Sequence, residues 1–106
     1  MLDKTLIVCV GEFGRTPRIN RNNNVPGRQH WPHCYSAILA GGGIQGGAVY
    51  GESDKIAAYV KDKPVRPQDF SATIFHALGV HYESKVTKEG LTKPLSTGTP
   101  LLDLFG

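Results

Sequence analysis

Two short blocks carry the chemistry of this sequence: Gly11-Glu12-Phe13-Gly14-Arg15-Thr16-Pro17 and, after a polar stretch, Gly27-Arg28-Gln29-His30-Trp31-Pro32. A carboxylate, a histidine and two arginines delivered together suit an oxyanion, with or without a metal ion. Arginine offers a planar fork that meets phosphate or sulfate with two parallel hydrogen bonds, so Arg15 and Arg28 are the anion-binding candidates. The plainer alternative has both arginines pinning loops through Glu12 and backbone carbonyls. The first block directly follows Leu6-Ile7-Val8-Cys9-Val10, and in an open α/β sheet ligands bind beyond the carboxyl ends of strands.

The elements that must position these residues follow from periodicity and turn chemistry. Lys4–Val10 reads as a buried strand, rich in β-branched residues and bounded by Gly11. Phe13 to Val25 reads as a long polar loop, in which Thr16-Pro17 and the Asn22-Asn23-Asn24 run favour turns. Four arginines (15, 18, 21 and 28) charge the loop and its exit. Tyr35–Ala40 is a second strand, ending in Gly41-Gly42-Gly43, and Ala48-Val49-Tyr50-Gly51 suggests a short returning strand after a tight turn at Gly46-Gly47. The triple glycine lacks the Gly-Lys-Ser/Thr ending of a phosphate loop and is read as a turn.

Arg66–Gly79 is the clearest helix: Pro67 suits the first position, Asp69 the positive end, and Gly79 the left-handed position after the last turn. Phe70, Thr73, Ile74, Ala77 and Leu78 share one face, which is expected to cover a sheet. Beyond Ser84 the chain reads as polar and irregular, closing with a small hairpin formed by Pro94-Leu95 and Pro100-Leu101. No repeat or low-complexity linker divides residues 1–106, so the expectation is a single α/β domain.

Composition bounds the function classes. With 40% hydrophobic and 20% charged residues among 106, this is ordinary soluble globular composition, and thirteen glycines with seven prolines predict much loop. A net charge of +3 favours anionic ligands. The arginine-bearing loop has no interleaved aromatics, which argues against nucleic acid. No apolar run approaches the ~20 residues of a membrane span. Met1-Leu2-Asp3-Lys4 leads straight into a strand with no signal peptide, so a cytoplasmic chain is expected, or an exported one if a longer N-terminus carries a signal. Cys9 and Cys34 match no zinc spacing and read as buried free thiols.

Taken together, the Gly-Glu-Phe-Gly-Arg-Thr-Pro block, the Gly-Arg-x-His-Trp-Pro block, the Ala-Gly-Gly-Gly-Ile-x-Gly-Gly turn and the helix from Pro67 to Val80 resemble the C-terminal part of a sulfatase-related family of unknown function. That family is placed here within the alkaline phosphatase-like superfamily. The resemblance implies a partial alkaline phosphatase/sulfatase-like sheet with a covering C-terminal helix, belonging to the back portion of a larger sulfatase-like domain. It also implies a remnant metal and oxyanion site. Glu12 falls where the superfamily carries a metal-binding Asp, and His30 matches a later metal-binding His. Phe13 stands at a His position and Gln29 at an Asp position, so two ligand-type residues are replaced. A complete homologue would hold zinc, calcium or magnesium; for this chain no cofactor is certain, and weak or absent metal binding is expected.

The resemblance supplies no role for His33, and His76 and His81 read as surface or packing residues. Trp31 reads as a packing anchor. Neither Ser36 nor Ser71 is marked as a nucleophile, so the chain is expected to be inactive alone as a sulfate- or phosphate-ester hydrolase. The alternative is a non-catalytic anion-binding or assembly module. Expected partners are a sulfate or phosphate group and further copies of the chain, since the strand edges are expected to lack neighbours.

Overall fold

The computed structural model describes residues 1–21, 24–81, 84–88 and 91–106. In chain order the strands are β1 (Leu6–Val10), β2 (Gly14–Arg15), β3 (His30–Trp31), β4 (Ala37–Gly41), β5 (Glu52–Ser53) and β6 (Val60–Asp62). The helix α1 (Pro67–Ala77) and the strands β7 (Lys85–Lys88) and β8 (Leu91–Pro94) follow, and short 3-10 turns cover Leu2–Lys4 and Leu102–Leu104. Two compact units result. One comprises Met1–Ile7, Leu39–Val49 and Val65–Gly106; the other comprises Val8–Ile38 and Tyr50–Pro64.

The architecture is mixed α/β, but its sheets are small. The described strands pair two by two, β1 with β4, β2 with β3, β5 with β6 and β7 with β8, and the last three pairs are antiparallel. Among the described residues the expected alkaline phosphatase/sulfatase-like sheet is not seen. The strand expected from Lys4 starts at Leu6 because residues 2–4 turn first, and it is not buried: Ile7 to Val10 are exposed. Its Cys9 is exposed with it, and Cys34 is half-buried, so both are free thiols but neither is a buried one.

In the first unit α1 begins and ends where its sequence requires. Pro67 opens it, and Gly79 follows the last turn at φ +74°. The face it buries coincides in part with the expected one: Thr73 belongs to both, and Phe70, Ile74 and Ala77 are half-buried. Asp69, Ala72 and Thr73 are buried, whereas Leu78 is 64% exposed. No sheet among the described residues covers that face. Segment 96–101 does, through hydrogen bonds: Ser96 Oγ donates to the Gln68 carbonyl at 2.8 Å, the Thr99 amide to Asp69 at 3.0 Å, and the Leu101 amide to Thr73 Oγ1 at 2.9 Å. Gly98 is required here by close approach, since a Cβ would run into the Gln68 backbone.

Polar closure of this kind leaves no room for the hairpin expected at residues 94–101. The hairpin lies earlier, as β7 and β8, with Thr87 and Thr92 hydroxyls 3.2 Å apart across the pair. Gly41, Gly42 and Gly43 all take positive φ and make a turn, as read. The returning strand expected at residues 48–51 is instead Glu52–Ser53, paired with β6 through an irregular register. No helix among the described residues is long and apolar enough to cross a membrane.

Candidate functional site

The second unit contains every candidate site residue: Glu12, Arg15, Arg28 and His30. The stretch read as a loop is an antiparallel ribbon. Gly14 faces Trp31 and Arg15 faces His30 across β2 and β3. The ladder continues beyond them, with the Thr16 amide donating to the Gln29 carbonyl at 2.9 Å and the Gln29 amide to Thr16 Oγ1 at 3.1 Å. Farther out, Asn20 and Gly27 exchange backbone bonds of 2.7 and 2.9 Å. Asn22 and Asn23 of the expected turn lie outside the described residues.

Gly14 is fixed by crowding. A Cβ there would collide with the Cys34 carbonyl oxygen and press on Trp31 and Tyr35, so only glycine lets the two arms meet.

This register decides which candidates come together. Directly opposed residues on antiparallel strands put their Cβ atoms within about 5.5 Å of each other on the same face. Arg15 and His30 are such a pair. Phe13 organises them: its ring centroid lies 3.8 Å from that of His30, and the Arg15 guanidinium carbon sits 5.6 Å from its centre. Arg15 also donates from Nη1 to the Arg28 carbonyl at 3.3 Å. Arg15 is thus steered by a ring and a backbone carbonyl.

Neither Arg15 nor Arg28 takes part in an ion pair among the described residues, and neither pairs with Glu12. Glu12 is the one acidic residue close in sequence to Arg15, and no Asp or Glu occurs from there to Glu52. Glu12 lies at the bend between β1 and β2 and is exposed. Among the described residues no group of three or more His, Cys, Asp or Glu side chains is assembled that could hold a metal. The His30 ring is stacked on Phe13.

The opposite face of the ribbon is its anchor. Trp31 donates from Nε1 to the Ala58 carbonyl at 2.6 Å, and its ring meets His33 and Tyr59 edge-on at 4.7 and 5.7 Å. The receiving loop is held by Asp54, whose carboxylate accepts the amides of Ile56, Ala58 and Tyr59 at 3.3, 2.8 and 3.2 Å. Trp31 is a packing anchor, as its sequence context suggested. His33 joins that aromatic cluster, and His76 packs its ring against Phe105 at 4.7 Å.

Sequence reasoning passed over Phe13, because a phenyl ring ligates nothing, and it passed over the Asp54 loop altogether. The signal for the ribbon was present in Gly27 closing an asparagine-rich stretch between two blocks of equal character, a hairpin pattern.

A family described as "Protein of unknown function (DUF1501)" matches residues 1–105, and the chain belongs to that family. No curated protein and no solved structure matches the chain. The family match overturns the resemblance to a sulfatase-related family within the alkaline phosphatase-like superfamily, to which nothing in the match points. The metal-binding roles drawn for Glu12 and His30 from that superfamily lose their basis with it. The blocks behind the resemblance are dense in Gly and Pro. In this structure they build a ribbon crossing, a glycine turn and a helix start, uses that many unrelated folds share.

Proposed function

We propose that the chain is a non-catalytic anion-binding module that takes a phosphate or sulfate group at the Arg15–His30 face of the ribbon. The observation that carries this reading is the direct opposition of Arg15 and His30 across β2 and β3, with Phe13 orienting both. A guanidinium without a carboxylate partner keeps its donors for an external oxyanion, and charge-assisted bonds are about twice as strong as neutral ones. Arg28, exposed and unpaired beside the Arg15 contact, adds positive potential.

The non-catalytic part of the reading rests on chemistry. A nucleophile needs an activating base or metal within reach. The rings of His30, His33 and His76 pack on the aromatic neighbours Phe13, Trp31 and Phe105.

The test is titration of the protein with inorganic phosphate and with sulfate, followed by NMR shifts of the ribbon amides. Saturable shifts centred on residues 13–16 and 28–31 are expected. His30→Phe, which keeps a ring for Phe13 but removes the N–H donor, weakens binding severalfold. Shifts that are absent, or that grow linearly over the whole chain, contradict the reading.

A further inference from the structure

The ribbon runs past the Arg15–His30 pair to the Asn20–Gly27 bridge, and its outer end is both basic and aliphatic. Residues 13–31 contain Arg15, Arg18, Arg21 and Arg28 and no Asp or Glu. Arg18, Arg21 and Arg28 are exposed, and none of them takes part in an ion pair among the described residues. Among these arginines stand two large aliphatic side chains, Ile19 at 67% and Val25 at 70% exposure. The antiparallel bridge sets Ile19 beside Arg28, and the two-residue period of a strand puts Arg21 on the same face as Ile19.

We propose that this end of the ribbon docks on an anionic phospholipid surface, with Arg18, Arg21 and Arg28 at the headgroup phosphates and Ile19 and Val25 entering the boundary between headgroups and acyl chains. Charge complementarity selects an anionic partner: each basic residue beside a negatively charged bilayer adds to the attraction, and no carboxylate of residues 13–31 opposes it. The aliphatic side chains select a lipid surface among anionic partners. A soluble chain of phosphates leaves Ile19 and Val25 in water, whereas a bilayer boundary takes their apolar area out of water while the arginine heads stay at the interface. Single-stranded nucleic acid is held by stacking on aromatic side chains, and residues 14–29 contain none.

The contact centres on residues outside the Arg15–His30 pair, so either proposal can fail without the other. Co-sedimentation of the full chain with vesicles of phosphatidylcholine containing roughly 30% phosphatidylserine tests it. Capture by these vesicles, none by phosphatidylcholine alone, and release by added salt are expected. Arg18→Gln and Arg21→Gln each weaken binding about fivefold.

Ile19→Ser also weakens vesicle binding severalfold but leaves the binding of a soluble linear polyphosphate unchanged, a difference that charge alone does not produce. Val25→Ser repeats that result at a second position, and circular dichroism matching the wild type shows that each variant is folded. Equal capture by both vesicle types, no capture by either, or undiminished capture of the folded Ile19→Ser and Val25→Ser variants overturns the proposal.

Discussion

Arg66 and Arg15 are the same side chain put to two different uses. At the start of α1, Arg66 lays its fork on Asp69, with Nε and Nη2 at 3.1 and 3.0 Å from the carboxylate oxygens. That carboxylate also receives the Arg66 amide at 3.3 Å and the Thr99 amide at 3.0 Å. Asp69 is 8% exposed, and the hydrogen bonds from Arg66 lead the effects that lower its pKa to about 2. Every charge in this corner is answered inside the chain. On the ribbon, Arg15 has a ring beneath it, a carbonyl beside it and, among the described residues, no carboxylate partner. A guanidinium satisfied by its own fold is scaffold; the proposed function rests on one that has no carboxylate partner among the described residues.

The largest effect expected from breaking the scaffold side comes from Gly98→Ala. A methyl group there has to displace the Gln68 backbone, so segment 96–101 lifts from the helix at a cost of about 2–3 kcal/mol. Urea denaturation checks this, and phosphate affinity stays unchanged.

Next is Asp69→Asn, which leaves the Arg66 fork without its charge partner and costs about 1–2 kcal/mol, nearer the lower figure because Arg66 is in solvent. The sign of the pH dependence follows from the same pair. The folded pKa of Asp69, about 2, lies below its ordinary 3.8. Its stabilisation is therefore complete above that ordinary value and is lost as pH falls towards 2. Acid denaturation of the wild type should show this loss, and the Asp69→Asn profile should be flatter through the same interval.

A smaller effect is expected at the ribbon's anchor. Trp31→Phe keeps a ring against His33 and Tyr59 but removes the Nε1–H bond to Ala58, for about 1 kcal/mol. Amide exchange should speed up in β2 and β3 while α1 is unaffected. Arg28→Gln is the mildest change, because its side chain supplies potential rather than a positioned bond. It should weaken phosphate binding about two- to threefold, an effect that added salt reduces.

The same contrast explains what the sequence disclosed. The helix was legible because its signals are local: Pro67 and Gly79 mark its ends whatever surrounds them. What covers it was not legible. Phe70, Thr73, Ile74, Ala77 and Leu78 mark a stripe to be covered, and segment 96–101 docks by hydrogen bonds at its Thr73 side, on Gln68, Asp69 and Thr73; no periodicity encodes a partner some thirty residues away. The four site candidates were visible by residue type. Their arrangement was not, because strands as short as Gly14–Arg15 and His30–Trp31 are defined by register rather than by propensity. Short Gly- and Pro-rich blocks do not specify a superfamily, nor metal roles drawn from one, since turn chemistry is shared by many folds.

The most direct test of the account is a calorimetric phosphate titration of three proteins: wild type, Arg15→Gln and Arg66→Gln. Saturable binding by the wild type, at least about tenfold weaker in Arg15→Gln, and wild-type affinity in a less stable Arg66→Gln are the results the account predicts. Equal binding by all three, or equal losses in both variants, would mean that overall positive charge and not the Arg15–His30 pair attracts the anion, and would contradict it.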